Sequence, residues 1–464
     1  MSTVIFGLDG ADPELVERWI DELPNFKELM ERGFFGDFKT IEPPITIPAW
    51  MCMFSGNKPS DFNSYDFRTV NFEDYSIDLV NSSNFRGKTL LDSSEKVISL
   101  RLPGTTPKYP IDGQMVSGFM KGEEMSYEPK ELEREISRSL DLKLKDLRGE
   151  NREDTRKIAK NNFKENFKLY NYLLDNKEFE TAFSVFRMID THMHNVDEQD
   201  QLLEAYKLAD QVLGEIIEIT DKLDTNLLVL SDHGSTQTTK KLYLNNLLRE
   251  KGFLEYGAEQ ASVRRKIEEK LGSALVNFGL KKHVKRLISI YSEVTGEDLQ
   301  HTQQTVLSSI EKEGTEAFCY ISGVSRYGAI WVHDDRFTKG VVSNKSQKIE
   351  EIKHVLEKEK FIDEVVVPRS FLENEEMPDM LVKANKGIII GGEPYNVNFH
   401  KSRAVVHDER GLIAGIGPGF QEGKRVKTKY ENIAPTIQAL AGDVDSEGEV
   451  LEDILEDIEY NDEL

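Results

Sequence analysis

The 464-residue chain predicts an α/β fold: a three-layer α/β/α core with a mainly parallel sheet, carrying an inserted cap subdomain. Three observations carry this expectation. The apolar runs Thr3–Leu8, Thr181–Met188 and Asn226–Ser231 read as strands buried on both faces. Segments of helical period separate them. The runs lead into carboxylates, Asp9, Asp190 and Asp232, and open α/β sheets bind ligands beyond the carboxyl ends of their strands.

The elements follow in order. After Asp9-Gly10, Asp12 can cap a helix, Pro13 suits its first turn, and Leu15, Val16 and Trp19 give it an apolar face. A second helix starts at Asn25 and ends at Gly33. Glu42-Pro-Pro-Ile-Thr46-Ile-Pro48-Ala-Trp50 leads into a short helix, Met51–Ser55, with Thr46 in the N-cap place. Residues 150–178 carry Phe163, Phe167, Tyr170, Leu173 and Leu174 at helical spacing, and 198–222 form a second periodic helix. Gly387–Ile390 and Gly411–Ile416 read as later strands. Residues 250–375 break the rhythm with charged helices, the strand-like Tyr327–Val332 and a helix near 346–359. The expected organisation is a catalytic core of 1–250 and 376–464 with a cap over 251–375, consistent with a length too great for one simple core.

Composition excludes several classes. Hydrophobic residues make up 38%, enough for a globular chain, and no apolar run approaches the roughly 20 residues that span a bilayer. The net charge of −24 repels phosphate backbones, which argues against nucleic-acid binding. Eleven of the acidic residues lie in 443–464, a solubilising tail in which Val450, Leu451, Ile454 and Leu455 have the spacing to pack. Two cysteines, Cys52 and Cys319, allow neither a disulfide framework nor a thiolate metal site. With no basic leader before the first strand, the expected compartment is the cytoplasm. The basic stretch 264–286 interleaves Leu271, Leu275, Val276 and Phe278 with lysines and arginines, and reads first as a solvated helical face.

Three of the nine histidines stand beside this chemistry. His194 follows Asp190 by four residues, one helical turn. His233 adjoins Asp232, and His407 precedes the strand beginning at Gly411. Imidazole and carboxylate without thiolate suit Zn²⁺, Mn²⁺ or Fe²⁺. Thr46 at a helix start sits where free N–H groups favour a phosphate, and its hydroxyl becomes a competent nucleophile beside a divalent cation. Taken alone, Thr46 is an ordinary capping residue and Asp9 an ordinary turn residue. Their order along the chain with the other pairs favours function. His192 is expected at the surface or behind the ligands, and His400 competes with His407. Asn57 and Lys58 lie just beyond the Thr46 helix; Lys58 could contact a substrate phosphate but reads first as an exposed lysine, and Arg187 could be a substrate ligand or a buried pair partner.

Gly7-Leu-Asp9-Gly10, Pro43-Pro-Ile-Thr46-Ile-Pro-Ala-Trp50, Ser55-Gly56 before Tyr65-Asp66-Phe67, Asp190-Thr-His-Met-His194, Ser231-Asp-His-Gly234, Pro378-Asp379, His407-Asp-Glu-Arg-Gly411, Gly417-Pro-Gly419 and Ile433-Ala-Pro-Thr-Ile437 together resemble the alkaline phosphatase superfamily. The branch they resemble is the type I phosphodiesterase/nucleotide pyrophosphatase group, in its prokaryotic phosphohydrolase/phosphomutase form. The resemblance implies two divalent ions, zinc or manganese, about 4 Å apart. One would take Asp190, His194 and His407, and the other Asp9, Thr46, Asp232 and His233. Thr46 would attack phosphorus and pass through a phosphothreonine that water hydrolyses. The chain departs from the group in having Ala49 where an asparagine often holds a phosphate oxygen. It also has Pro59–Ser64 in place of a Gly-Lys-His-Gly segment, and it lacks the arginine of sulfatases after Pro48.

The reading that follows is a metal-dependent phosphohydrolase acting on a small phosphorylated substrate with a phosphodiester or pyrophosphate-type bond. A phosphomutase or phosphotransferase would use the same residues but capture the phosphothreonine with a second hydroxyl. A non-catalytic metal-binding interaction protein would bind metal without turnover.

Overall fold

A computed structural model describes the chain except residues 121–123, 148, 258–303, 395–396, 459 and 463–464. The basic stretch 264–286 and much of the expected cap lie outside the described residues.

The strand Thr3–Leu8 shows why the core needs layers on both sides. Its side chains alternate. Val4, Phe6 and Leu8 join an apolar cluster with the helices Arg152–Asn176 and Leu203–Leu223. Ile5 points the other way, into a cluster with the helices Thr46–Met53 and Ile433–Ala441. Each fully buried Val, Leu, Ile or Phe contributes about 1.5–3 kcal/mol, so neither face can be left to water.

The nine-stranded sheet runs in the order Lys424–Lys429, Phe34–Lys39, Arg410–Ile416, Asn226–Leu230, Thr3–Leu8, Thr181–Phe186, Val97–Leu100, Gly113–Ser117, Ser126–Glu128. Only Arg410–Ile416 and Ser126–Glu128 run against their neighbours. Register then sets the site. Leu8 pairs with Phe186, and Gly7 with Leu230, so the three central strands release Asp9, Arg187 and Ser231 at one level. The α/β architecture expected from the sequence is present, with a mostly parallel sheet between helical layers.

A second lobe forms around the four-stranded antiparallel sheet Ala317–Cys319, Tyr327–Val332, Met380–Ala384 and Ile362–Val366. The helix Lys345–Leu356 packs on it. Between the lobes, a three-stranded sheet pairs Gly234–Tyr243 with Ile388–Gly391 and Phe399–Asp408.

Some local expectations need correction. The helix at Thr46 spans Thr46–Met53, and Ile45 is its N-cap. Thr46 is therefore the first helical residue and not the cap, because Pro48 is tolerated within the first turn and the helix starts earlier. The strand near 388–391 belongs to the small sheet and not to the large one. Ile454 and Leu455 of the acidic tail are buried, but in a single 3-10 turn, Glu452–Ile454, and not in an α-helix. Asp12 does cap its helix, accepting from Glu14 N at 2.8 Å. Among the described residues no helix is long and apolar enough to cross a membrane.

Candidate active site

Asp9 leaves its strand into a turn that only glycine makes easily. Gly10 has φ +77°, and a Cβ there would lie 3.2 Å from Asp190 Cα. The backbone joins the two strand ends directly: Asp190 N donates to Asp9 O at 3.0 Å. Gly7, earlier in the same strand, lets the helix Thr46–Met53 approach. A Cβ at Gly7 would meet Ser184 O at 2.6 Å and Trp50 Cη2 at 2.8 Å.

Asp190 lies in the first turn of the helix Met188–Met193, and His194 is its C-cap. The expected one-turn pairing is present: His194 Nε2 stands 3.0 Å from Asp190 Oδ1. His407 reaches the same place from the strand Phe399–Asp408. Its Nε2 is 3.0 Å from His194 Nε2 and 3.4 Å from Asp190 Oδ1. The competing His400 is exposed, seven residues up the same strand and paired with Lys241. On the other side, His233 Nε2 lies 3.6 Å from Asp9 Oδ1 and 3.5 Å from Asp232 Oδ2. The His233 ring stacks on His407 with centroids 3.7 Å apart. Two groups of convergent donors result, Asp9 with Asp232 and His233, and Asp190 with His233 and His407. His233 thus stands between the two sets that the sequence assigned separately.

The donor chemistry fits divalent cations. His407 Nδ1 donates to Pro44 O at 2.8 Å, and His233 Nδ1 to Gly234 O at 3.0 Å. Each backbone carbonyl fixes the tautomer that leaves Nε2 as a lone-pair donor. Both oxygens of Asp9, Oδ2 of Asp232 and Nε2 of His233 are buried without a hydrogen-bond partner, an arrangement that is costly unless something binds there. The ligands of a tetrahedral ion at 2.0–2.1 Å would be about 3.3 Å apart, close to the spacings of Asp190, His194 and His407.

Electrostatics agree. Burial, reinforced by the charges of Asp232 and Asp190, pushes the Asp9 carboxyl well above the usual carboxylate range. Burial beside Asp190 does the same to Asp232. Burial also acts upward on Asp190, but His194, His407 and Arg187 outweigh it and hold that carboxyl well below the ordinary value. Burial, reinforced by the neighbouring imidazoles, pushes the His233 imidazole well below the usual histidine range and lowers that of His407. Three carboxyls within one buried site cannot all be charged without cations.

Thr46 is nearly buried, at 3% exposure. Its approach loop is tied to the cluster by the bond from His407 to Pro44, two residues before it. Lys58 is exposed and Asn57 bonds Lys88 O, so neither belongs to this cluster. Arg187 Nη2 lies 3.6 Å from Asp190 Oδ2. His192 is not at the surface: it is buried, its Nδ1 bonds Met188 O at 2.8 Å, and burial lowers its pKa to about 4.

Sequence reasoning missed the residues that clamp the site. Tyr327 OH donates to Glu42 Oε1 at 3.1 Å and to Glu409. Glu42 begins the loop toward Thr46, and Glu409 follows His407 by two. Lys383 Nζ holds Glu409 at 2.6 Å. His407 N donates to Val324 O at 2.9 Å. An ordinary tyrosine in an apolar strand carries no signal of this kind.

The family model of type I phosphodiesterase/nucleotide pyrophosphatase matches residues 3–403, most of the chain and every member of the Asp/His cluster except His407. The chain belongs to the type I phosphodiesterase/nucleotide pyrophosphatase family. It is accordingly a phosphoric ester hydrolase of a divalent-metal-dependent family. No curated protein matches the chain. Solved structures with the same fold include murine ectonucleotide pyrophosphatase/phosphodiesterase 5, at TM-score 0.56 and 12% identity, covering 98% of this chain and 100% of that one. Phosphonoacetate hydrolase from Sinorhizobium meliloti, in complex with phosphonoformate, aligns at TM-score 0.59 and 12% identity over 95% of each chain. An inactive variant of the murine protein in complex with AMP aligns at TM-score 0.56 and 12% identity, over 98% of this chain and 99% of that one. The nine-stranded sheet and its flanking helices are the alkaline phosphatase-like core that these structures share.

Proposed function

We propose that this phosphohydrolase uses two divalent ions, zinc or manganese, and Thr46 as nucleophile to cleave a phosphodiester or pyrophosphate-type bond in a small substrate. The observation that carries the reading is the convergence of Asp9, Asp190, His194, Asp232, His233 and His407, with both oxygens of Asp9 and Oδ2 of Asp232 left without hydrogen-bond partners. Asp190, His194 and His407 would hold one ion, and Asp9, Asp232 and His233 the other, with Thr46 Oγ1 beside the second. Bound cations would neutralise phosphate charge and lower the pKa of the hydroxyl.

Thr46 loses its hydroxyl proton to solvent and its oxygen bonds phosphorus, while the leaving alkoxide or phosphate departs. Water then breaks the Thr46 Oγ1–P bond, restoring the hydroxyl and releasing a phosphate monoester. His407 keeps the approach loop in place through Pro44, and Tyr327 steadies both loops. The lobe around the four-stranded sheet would act as the cap that selects the leaving group. AMP, bound by the murine relative, is the type of monoester product that such a reaction releases.

Hydrolysis of a nitrophenyl phosphodiester and its monoester by metal-stripped protein, before and after adding back Zn²⁺ or Mn²⁺, tests the reading. Diester turnover that requires metal supports it. A monoester preference moves the assignment to a phosphatase, and metal binding without turnover of either ester or of natural phosphates sinks it.

A further inference from the structure

The peptide between Gly234 and Ser235 uses both of its hydrogen-bonding ends beside the Asp/His cluster. Its carbonyl, Gly234 O, accepts from His233 Nδ1 at 3.0 Å. Its N–H, on Ser235, donates to Asp12 Oδ2 at 2.9 Å. One peptide plane therefore joins the Asp12 carboxylate to the imidazole whose Nε2 faces Asp9 and Asp232. Hydrogen bonds in such a chain polarise one another. A carboxylate on the N–H makes the carbonyl a stronger acceptor. The stronger acceptor holds the proton on Nδ1 and leaves Nε2 a better electron-pair donor. Metal-binding histidines commonly lean on a carboxylate directly; here a peptide stands between the two.

The surroundings hold Asp12 to this task. It is buried, and its own N–H donates at 2.7 Å to the hydroxyl of Tyr206, a buried residue of the helix Leu203–Leu223. Capping the helix Pro13–Arg18 occupies only Oδ1, which accepts from Glu14 N. Oδ2 is given to Ser235, from whose Oγ it also accepts at 3.0 Å. Residue 234 must be small for this approach: a Cβ there would lie 2.8 Å from Arg410 O and 3.3 Å from Asp12 Oδ2. The turn between Asp9 and Asp12 meets the same segment a second time, where Gly10 N donates to Asp232 Oδ1 at 3.3 Å. Ser235 is also the cross-strand partner of His407.

We propose that Asp12 is a positioning residue for the metal centre, acting through the Gly234–Ser235 peptide to fix the tautomer and orientation of His233. This rests on the two-metal reading above and adds a residue to it. The test compares the full-length chain with Asp12→Ser and Ser235→Ala. Asp12→Ser keeps a hydroxyl that can cap the helix but takes the carboxylate away from the peptide. Ser235→Ala removes Oγ and leaves the peptide N–H on Asp12. Zn²⁺ and Mn²⁺ affinities are measured by chelator competition, and the His233 tautomer in metal-free protein by imidazole ¹⁵N chemical shifts. Asp12→Ser should bind metal about ten- to a hundredfold more weakly, and its His233 should pass from the Nδ1–H tautomer to a mixture. Ser235→Ala should keep both the affinity and the tautomer. A residue that only capped its helix would lower the urea midpoint and leave affinity and tautomer in place, which would overturn the proposal. Equal losses in the two variants would also overturn it, because the hydroxyl and not the peptide would then carry the effect. Should Asp12→Ser fail to fold, Asp12→Asn decides. Its amide has the same shape but one oxygen, which can serve Glu14 N or Ser235 N and not both, so metal affinity should still fall, and wild-type affinity there would overturn the proposal. Wild-type protein that binds neither ion brings down the two-metal reading and this proposal with it. Wild type and Asp12 variants that bind equally well bring down this proposal alone.

Discussion

His407 and Pro44 are joined by a 2.8 Å hydrogen bond from imidazole Nδ1 to backbone carbonyl, across 363 residues of chain. The bond does two things. It leaves His407 Nε2 as an electron-pair donor facing Asp190 and His194. It also anchors the loop that leads to Thr46 to a residue of the buried Asp/His cluster. In the proposed mechanism, ligand geometry and nucleophile position are thus set by one contact.

Metal binding should release protons. Burial and mutual repulsion raise the Asp9 and Asp232 carboxyls well above the ordinary range, so they hold their protons to higher pH than ordinary carboxylates and must release them when cations bind. Apparent Zn²⁺ or Mn²⁺ affinity should fall as pH is lowered, by roughly tenfold per pH unit for each proton displaced. Calorimetry in two buffers of different ionisation enthalpy counts those protons. Affinity that stays constant between acid and neutral pH contradicts the account.

Tyr327→Phe removes one hydroxyl that serves two carboxylates, Glu42 and Glu409. Leaving such groups under-satisfied costs about 1–3 kcal/mol, read as a lower urea midpoint. Lys383 still holds Glu409, so the fold should survive. The loosened loops carry Thr46 and His407, so kcat should fall severalfold with little change in KM. A variant with normal kcat and reduced stability would limit Tyr327 to a structural role.

Asp66 gives a separate pH signature. It is fully buried, accepts hydrogen bonds from Ser322 N at 2.7 Å, Ser322 Oγ and Phe67 N, and burial raises its pKa to about 6. The folded state therefore binds this proton more tightly than the unfolded chain, whose Asp titrates near 4. Stability from this group is present below about pH 4 and is lost as pH rises toward 6, about 3 kcal/mol in all. Urea midpoints of wild type and Asp66→Asn should diverge across that window. Parallel curves would show that Asp66 keeps an ordinary pKa in the fold.

Gly7→Ala should destabilise strongly, by several kcal/mol, because the new Cβ would meet a backbone oxygen at 2.6 Å and Trp50 at 2.8 Å. Thermal unfolding checks this directly. A neutral outcome would mean that the helix Thr46–Met53 does not pack so closely on the strand.

Much of the site was legible because parallel strands write it locally. A buried apolar run that stops at Asp9, Asp190 or Asp232 names its own end, and register brings those ends level. His194 followed from one helical turn. The strand Gly234–Tyr243 was not legible. Its sequence, GSTQTTKKLY, is mostly polar and shows no apolar run, with Thr239 and Lys240 exposed and Thr236, Gln237 and Lys241 half-buried. The start of the Thr46 helix was misplaced by five residues, since proline inside a first turn reads equally as an extended approach. The clamp of Tyr327 on Glu42 and Glu409 joins residues 285 and 82 apart, and no local pattern encodes such a tie.

The measurement that bears most directly on the central claim is the phosphorylation state of Thr46 during turnover. Metal-loaded enzyme mixed with a phosphodiester, quenched in acid and digested, should yield the peptide containing Thr46 with the substrate's retained ester-phosphoryl group added to it. Thr46→Ala should show neither the modified peptide nor measurable turnover. Wild-type turnover with Thr46 unmodified at every quench time, together with Thr46→Ala retaining its rate, would contradict the account.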